Sequence, residues 1–305
     1  MLSKAKISTM VNEKKTLEII FERFSCLFIT FATPIFFIYQ MTVIRPKLLE
    51  IFNVGFTRHC FHVLLSTYCF INVLGNLLLS IFTDSRLKAC NGEGRYCEQC
   101  KKIRPADSWH CATCNACILG RDHHCFFLSC CIGRYNLRYF ICFLSHIVTS
   151  IAYSTYYDYF VLVSEFEFAS FLEVTLSAVR ILLPIYPLIN PLEMMKNLYA
   201  LFWYSNVFIL AFCFGLLCYH MSNALKGIIS FENKIGKVPL NSHWKANMIY
   251  VFGTRWYLAL LWPFVCSPLP DKLAYLTIND RQTLVPFLKS CNTSGSPFLT
   301  KAVIK

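Results

Sequence analysis

Four long apolar stretches dominate the pattern of hydrophobic and polar positions along the chain. They occupy residues 26–44, 60–82, 139–163 and 198–221, and none of them contains a lysine or an arginine. A helix that crosses the hydrocarbon core of a bilayer needs about 20 mostly apolar residues. The pattern therefore predicts an all-α integral membrane protein with four transmembrane helices.

Two further apolar stretches do not fit a membrane crossing. Residues 164–197 are acidic, and their apolar run is interrupted by Arg180 and three prolines, which a lipid-exposed helix tolerates poorly. Residues 256–269 are too few to span a bilayer and contain Pro263. We predict a luminal or interfacial loop for the first stretch and an interfacial or re-entrant piece for the second. Asp158, near the end of the third apolar stretch, is expected to reach interfacial water.

The basic residues predict the orientation of the four helices. Of 29 lysines and arginines, five precede the first helix, nine lie between the second and third, and ten follow the fourth. Cytoplasmic loops carry the excess of such residues, so both termini and the second loop are expected in the cytoplasm. The predicted segments are a cytoplasmic N-terminus (1–25), helices one and two (26–82), a cytoplasmic cysteine-rich domain (83–138), helices three and four with a luminal loop (139–221), and a cytoplasmic C-terminal domain (222–305).

Composition strengthens the membrane assignment. Hydrophobic residues make up 56% of the chain, charged residues only 15%, and there are 28 phenylalanines, more than a soluble core of this length uses. The formal net charge of +12 follows from the membrane orientation and attracts anionic lipid head groups. It therefore gives no reason to expect a nucleic-acid partner. We find no internal repeat in the sequence.

The loop between helices two and three carries the candidate chemistry. Between Cys97 and Gly133 lie eight cysteines and three histidines. Cytosolic thiols stay reduced, so this density indicates metal binding or catalysis rather than disulfides. A structural zinc takes four ligands, so two zinc sites would use eight and leave three. If His123 and Cys125 are among those left over, they form with Asp122 the composition of an activated-thiol catalytic unit.

The order of these residues carries a resemblance. The segment reads Cys-x2-Cys, Arg-Pro, His-Cys-x2-Cys-x2-Cys, Asp-His-His-Cys and Cys-Ile-Gly, followed by Asn136 and Phe140. It resembles the DHHC family of protein S-acyltransferases over about 44 residues, with the same four-helix layout around it. The resemblance implies a palmitoyltransferase that uses acyl-CoA as co-substrate. Its protein substrates would be membrane-associated proteins with cytoplasmic cysteines, and its location the Golgi or the endoplasmic reticulum.

The resemblance also implies the roles of individual residues. One structural zinc would be held by Cys97, Cys100, His110 and Cys117, and a second by Cys111, Cys114, His124 and Cys131. Cys125 would be the nucleophile, His123 its base, and Asp122 the group that orients the imidazole. Phe127 would lie against the acyl chain. Arg104 is either a contact for the CoA phosphates or a solvated loop charge.

The sequence departs from the family pattern at several positions. Cys130 stands beside Cys131, so either could be the zinc ligand, although the spacing to Gly133 favours Cys131. The usual Thr-Thr-x-Glu after helix four is replaced by Ile-Ser-Phe-Glu, in which Ser230 is expected to offer its hydroxyl to the region of Asp122. Asn247, with the Phe-Gly pair at 252–253, is expected to pack the C-terminal tail against the catalytic loop.

Three alternatives remain beside an active acyltransferase. The first is a catalytically weak or inactive zinc-binding membrane adaptor of the same fold. The second is a RING-type ubiquitin ligase, against which the unliganded Asp122, His123 and Cys125 count. The third is a zinc hydrolase or deaminase, which needs an open metal position and a general-base glutamate. The sequence contains no His-x-Glu pair, and both predicted metals are saturated.

Overall fold

The computed structural model describes residues 4–87, 94–168, 170–180, 191–234 and 243–270. The chain forms two compact units. The first comprises Met1–Thr30, Gly75–Cys142 and Tyr219–Lys305, and the second comprises Phe31–Leu74 and Phe143–Cys218. The description of the predicted C-terminal domain therefore covers residues 222–234 and 243–270. Residues 169 and 181–190 of the predicted luminal loop lie outside the described residues.

Helices make up most of the described chain. The helices are α1 (Lys4–Tyr39), α2 (Arg45–Phe52), α3 (Phe56–Phe82), α4 (Leu137–Phe166), α5 (Phe171–Arg180), α6 (Pro191–Lys226), α7 (Ser230–Lys234), α8 (Trp244–Phe252) and α9 (Trp256–Leu261), and a π-helical turn at Gln40–Ile44 joins α1 to α2. Four helical segments among the described residues are long and apolar enough to cross a membrane, namely Thr16–Phe52, Phe56–Phe82, Leu137–Phe166 and Met194–Lys226. The prediction of four such helices is confirmed; three extend beyond both predicted ends, and the second begins four residues earlier and ends at the predicted Phe82.

Large apolar side chains form an exposed row on α1. Phe24, Phe28 and Phe31 are each more than 60% exposed, and Ile35 continues the row. A soluble protein rarely leaves so large a contiguous apolar surface in water. In a bilayer the same surface faces lipid at no cost, so the exposure agrees with a membrane-spanning helix.

The second unit contains a helix within the predicted loop 164–197. On α5, Val174, Ser177 and Ala178 are buried at the spacing of one helical face. Val174 and Ala178 form a cluster with Leu162 of α4 and Ala200 of α6. The acidic and proline-rich composition of the stretch concealed this short amphipathic helix.

Asp158 in the second unit does not reach water. Its side chain is buried, and both carboxylate oxygens accept a hydrogen bond from Nε2 of Gln40 at 3.0 Å. The expectation of a solvent-exposed carboxylate is therefore wrong. Gln40 is the first residue of the π-helical turn, so the interruption of regular α-helix coincides with the position that donates to this acid.

The cysteine-rich segment of the first unit is built of β-hairpins, which corrects the all-α prediction locally. Within residues 94–134, which the structure describes without a gap, the strands are β1 (Arg95–Cys97), β2 (Lys102–Arg104), β3 (Ser108–Cys111), β4 (Ala116–Leu119), β5 (His123–Cys125) and β6 (Cys130–Ile132). They pair in sequence order as three antiparallel hairpins. The strands are only three or four residues long, so they left no alternating pattern long enough to recognise.

The three hairpins are copies of one local design. In each hairpin the last paired residue before the turn is a cysteine. These cysteines are spaced fourteen residues apart along the chain, at Cys97, Cys111 and Cys125. The last turn residues, Lys101, Asn115 and Ser129, all have φ between 47° and 50°. A backbone in this left-handed region is uncommon for residues other than glycine, so its recurrence at equivalent positions marks a shared turn. The expectation that the chain contains no repeat is therefore wrong.

Asn136 joins the end of the hairpin segment to two other parts of the first unit. Its Nδ2 donates to the carbonyl oxygens of Ser80 and Cys131, and its Oδ1 accepts from the hydroxyl of Ser85 and the amide of Gly133. These four bonds use the full capacity of the amide, whose side chain is 1% exposed. The end of α3, the exit of β6 and the start of α4 are therefore held together at one point.

The C-terminal segment packs on the exit of the same hairpins. Arg134 donates to the carbonyl oxygens of Tyr250 and Pro270, and its guanidinium lies 3.8 Å from the centre of the Tyr250 ring. Asn247 donates to the carbonyl of Leu225 at 2.8 Å, which fixes α8 to the end of α6. The tail thus contacts the exit of the cysteine-rich hairpins, as expected, and Arg134 makes this contact.

Gly133 provides a test of how tightly the hairpin segment is packed. A Cβ atom on Gly133 would lie 2.7 Å from the carbonyl oxygen of Leu119 and 2.8 Å from a methyl group of Ile118. We expect Gly133→Ala to lower the free energy of unfolding by about 1–3 kcal/mol, as overpacking does. Thermal unfolding of the detergent-solubilised protein measures this effect. Gly55→Ala is the control, because a methyl group added there would meet no other atom of the described chain within 4 Å; equal melting of the two variants would contradict the expectation.

Candidate active site and metal clusters

The first two hairpins bring together one set of four predicted zinc ligands. The potential ligand atoms of this set, the three cysteine sulfurs and a ring nitrogen of the histidine, all lie within 4.8 Å of one another. The set consists of Cys97, Cys100, His110 and Cys117. The Nδ1 of His110 is 3.2 Å from the sulfur of Cys100 and 3.7 Å from that of Cys97, and the sulfurs of Cys100 and Cys117 are 3.7 Å apart. Cross-strand pairing of His110 with Cys117 sets part of this arrangement.

The second and third hairpins bring together the other set. Its potential ligand atoms, again three sulfurs and a ring nitrogen, also lie within 4.8 Å of one another. This set consists of Cys111, Cys114, His124 and Cys131. The Nδ1 of His124 is 3.3 Å from the sulfur of Cys114, 3.6 Å from that of Cys131 and 3.7 Å from that of Cys111. His124 and Cys131 are again direct cross-strand partners, as His110 and Cys117 are in the hairpin before.

Both clusters fit the size of a tetrahedral zinc ion. Bonds of about 2.3 Å to sulfur and about 2.1 Å to nitrogen place neighbouring ligand atoms roughly 3.5–3.8 Å apart. The distances given above, 3.2–3.7 Å, match this spacing closely. The hairpins themselves bury few apolar side chains, since their core cluster consists of Cys111, Ile118 and Cys131. A metal would therefore supply stability that the small core lacks.

Strand β5 contains two catalytic candidates, His123 and Cys125, with the predicted zinc ligand His124 between them in sequence. Successive side chains of a strand point to opposite faces, so His123 and Cys125 share one face while His124 points to the other. The backbone thereby presents His124 to its cluster and leaves His123 and Cys125 together on the opposite side. The four consecutive residues 122–125 can thus provide both a metal ligand and the catalytic candidates, because these side chains lie on opposite faces of the strand.

Asp122 is a buried carboxylate surrounded by donors. Its Oδ2 lies 2.8 Å from Nδ1 of His123 and accepts from the hydroxyl of Ser230 at 2.9 Å, and its Oδ1 accepts from the Ser230 amide at 2.6 Å. The predicted contact of Ser230 with Asp122 is confirmed. Burial alone would raise the pKa of Asp122, but hydrogen bonds and charge from His123 and His220 outweigh it and hold this pKa well below its usual range.

His220 is a neighbour of Asp122 that sequence reasoning missed. It lies on α6 with 5% of its surface exposed, and its Nδ1 is 3.4 Å from Oδ2 of Asp122. Its ring centre is 5.2 Å from that of His123, and both rings lie 5.1 Å from the ring of Phe140. A lone histidine in an apolar stretch carries no signal of its own. Even the predicted contact of Ser230 with Asp122 did not indicate which residue at the end of α6 would reach the same carboxylate.

Glu22 is a second residue that sequence reasoning missed. Its Oε2 lies 3.1 Å from Nε2 of His124, the ring nitrogen that faces away from the thiols. A carboxylate in this position fixes the orientation of a metal-binding imidazole. Glu22 is 8% exposed, and nothing in the sequence around it indicates a contact with the cysteine-rich segment.

The thiol of Cys125 accepts backbone hydrogen bonds in the same way as the Cys97 thiol of the first cluster. Backbone amides of Leu128 and Phe127 donate to it, as those of Cys100 and Gln99 donate to Cys97. The third hairpin differs from the others in one decisive position, because buried Leu128 stands where they have the second cysteine. Burial raises the pKa of Cys125 to about 11, so this thiol is protonated at neutral pH and needs a base to react.

Cys130 and Cys131 point in different directions. Cys131 belongs to the second metal cluster, whereas Cys130 is the cross-strand partner of Cys125 and directs its sulfur to the carbonyl of Ser80 at 3.8 Å. The structure thus places Cys131, which the spacing to Gly133 favoured, with the other three ligands. Cys130 lies on the face of the hairpin that carries Cys125.

The two predicted substrate contacts lie apart from these clusters. Arg104 at the end of β2 is partly buried and donates through Nη1 to the carbonyl oxygen of Ser108. Phe127 in the turn of the third hairpin is 46% exposed and lies edge-on to Phe126, with ring centres 5.8 Å apart. Arg104 is therefore tied to the backbone, and Phe127 presents an apolar surface beside Cys125.

Comparison with known proteins assigns the family. The DHHC palmitoyltransferase family profile matches residues 90–236. The probable palmitoyltransferase ZDHHC24 of Mus musculus is 31% identical over 232 residues, covering 71% of this chain and 78% of that protein. The chain belongs to the DHHC palmitoyltransferase family. Palmitoyltransferase ZDHHC22 of Mus musculus is 29% identical over 212 residues, covering 68% and 78% of the two chains. Palmitoyltransferase ERF2 of Eremothecium gossypii is 50% identical over 58 residues, covering 19% and 16%.

This membership confirms the predicted family and enzyme class, a protein S-palmitoyltransferase. It also makes the chain a divergent DHHC protein, since identity to the ZDHHC24 and ZDHHC22 proteins is about 30%. The four apolar helices agree with a multi-pass membrane enzyme, and the two Cys/His clusters agree with zinc binding.

The pair Cys130 and Cys131 tests the second metal cluster of this DHHC protein. We expect Cys131→Asn to lose one zinc ion per chain and to aggregate, because it removes a ligand whose coordination energy is folding energy. Cys130→Asn is the matched control and should retain two zinc ions. Elemental analysis of the purified variants measures the difference. Zinc loss from Cys130→Asn with retention in Cys131→Asn would overturn the ligand set.

Substitution of Glu22 tests whether this carboxylate stabilises the zinc-binding orientation of His124 in the same cluster. We expect Glu22→Gln to weaken zinc binding at this site about 10–100-fold, the usual effect of removing a carboxylate behind a metal-bound histidine. The measurement is the rate of zinc transfer from the folded protein to a coloured chelator. Glu18→Gln, one helical turn earlier and exposed, is the control. Identical transfer rates for the two variants would show that Glu22 does not support His124.

Proposed function

We propose that this chain transfers a long acyl chain from acyl-CoA to cysteines of membrane-associated proteins through a thioester on Cys125. The observation that carries the proposal is the contact between Asp122 and Nδ1 of His123 on the strand that also presents Cys125. Because Nδ1 faces the carboxylate, Nε2 is the ring atom available to the thiol. The arrangement has the base, its orienting acid and the nucleophile that thiol catalysis requires.

The reaction proceeds in two balanced steps. His123 takes the proton of Cys125, and the thiolate attacks the thioester carbonyl of acyl-CoA. The carbon–sulfur bond to CoA breaks, and the CoA sulfur takes the proton from His123. In the second step a substrate cysteine loses its proton to His123 and attacks the acyl-enzyme, whose Cys125 sulfur leaves and is reprotonated. Asp122 stabilises the imidazolium in both steps, and one thioester replaces another throughout.

Two structural zinc ions are part of the proposal. One would be held by Cys97, Cys100, His110 and Cys117, and the other by Cys111, Cys114, His124 and Cys131. Each ion joins two hairpins, so the pair would hold the three hairpins as one block. Both ions would be saturated by four protein ligands, so they serve folding and leave the chemistry to Cys125.

Substrate contacts follow from the surfaces beside the nucleophile. Phe127, half exposed two residues after Cys125, offers the acyl chain an apolar contact. Arg104 would contribute a guanidinium to the CoA phosphates, since its planar donors match phosphate oxygens. Its bond to the Ser108 carbonyl would orient the group for this contact.

The membrane placement is proposed from the charge distribution. The cysteine-rich domain at 83–138 and both terminal segments, 1–25 and 222–305, would lie in the cytoplasm, and the loop within 139–221 in the lumen. This places Cys125 on the side where acyl-CoA and reduced protein thiols are found. The Golgi or the endoplasmic reticulum is the proposed compartment, by likeness to the family.

Loading of Cys125 tests the proposal directly. We expect Cys125→Ser to abolish hydroxylamine-sensitive labelling by a clickable palmitoyl-CoA, because the thioester requires its sulfur. His123→Ala should slow loading by about 10²–10⁴-fold, the usual contribution of a general base. Cys218→Ser, which changes an exposed cysteine on α6, is the control and should load normally. Labelling that persists in Cys125→Ser would show that the nucleophile is misassigned. A wild-type protein with two zinc ions and no labelling would favour the inactive adaptor.

A further inference from the structure

We infer that His220 is a positioning residue of the acyl-transfer site, which holds Asp122 and the His123 ring in the orientation that serves Cys125. The inference rests on the proposed roles of Asp122, His123 and Cys125. It adds a residue from α6, which lies about a hundred residues further along the chain. No motif of the hairpin segment includes it.

The first support is the shared carboxylate oxygen. The Nδ1 of His220 lies 3.4 Å from the Oδ2 of Asp122, the same oxygen that lies 2.8 Å from the Nδ1 of His123. Hydrogen bonds at catalytic sites are often long in the ligand-free state and tighten when substrate binds. A modest approach of His220 would therefore give Oδ2 a second histidine donor.

The second support is the packing of three rings. His123, His220 and Phe140 lie with their ring centres 5.1–5.2 Å from one another. Phe140 meets His220 nearly edge-on, at 87° between ring planes, and meets His123 at 63°. The two neighbouring rings limit the space in which the His123 ring can turn, and this packing favours the orientation in which Nδ1 faces Asp122.

The third support is the anchoring of His220 itself. Its side chain is 6% exposed, so it does not exchange its contact with Asp122 for water. One turn further along α6, Asn223 donates to the hydroxyl of Ser230 at 3.4 Å, and Ser230 donates to Asp122. The end of α6 thus reaches Asp122 twice, directly through His220 and indirectly through Asn223.

A positioning role predicts a specific pattern of variant activities. Asparagine can place an amide donor where Nδ1 of histidine lies, whereas glutamine places its amide near the position of Nε2. We expect His220→Leu and His220→Gln to lower the single-turnover rate of Cys125 loading at least about tenfold. His220→Asn should remain within about threefold of the wild type. The palmitoyl-CoA concentration that gives half the maximal rate should not change, because His220 does not touch the substrate.

The experiment uses the full-length protein in lipid nanodiscs, with clickable palmitoyl-CoA and with zinc content measured in parallel. His62→Leu is the matched control, since His62 is a partly buried histidine of α3 whose ring contacts the Tyr153 hydroxyl, and neither residue belongs to the proposed site. Equal rates for His220→Asn and His220→Gln would overturn the inference, as would wild-type loading by His220→Leu. If the leucine variant fails to fold, the comparison of asparagine with glutamine decides. Labelling of Cys125→Ser would refute the proposed nucleophile instead, which separates the two failures.

Discussion

The buried carboxylate of Asp122 is the constraint on which the site depends. A carboxylate with 3% of its surface exposed is stable only if several donors replace the water it has lost. Those donors come from His123 beside it in sequence and from the amide and hydroxyl of Ser230 at the start of α7, while His220 on α6 lies close by. Segments separated by about a hundred residues must therefore meet at this one group. The hairpin that carries Cys125 is positioned by that requirement as well as by its own strands.

The parts of the structure that depend on local patterns could be predicted from the sequence. Four apolar helices follow from four long stretches without basic residues, and the grouping of the cysteines and histidines into two clusters of four follows from the resemblance of the motif to a known family. The contact of Ser230 with Asp122 could also be anticipated, because a hydroxyl stands at the place of a family threonine. Each of these inferences needed only a short segment of chain.

The parts that depend on distant contacts could not be predicted in this way. His220 and Glu22 stand in stretches where nothing nearby distinguishes them, and their roles arise from Asp122 and His124, about a hundred residues away along the chain. Asp158 is likewise hydrogen-bonded by Gln40, which lies more than a hundred residues before it in the chain. The three hairpins were missed for a different reason, since strands of three or four residues are too short to show a period, and their repeat is carried by backbone turns more than by residue types.

Leu128 has a consequence for how the three hairpins share out their sulfur atoms. The first two turns carry a Cys-x2-Cys pair, and both thiols of each pair belong to a cluster that could hold a metal ion. The third turn keeps the first cysteine of this pattern, Cys125, but has Leu128 in place of the second. The same turn geometry therefore presents Cys125 without the neighbouring thiol that would make it half of a metal-binding pair, and its sulfur is left for chemistry.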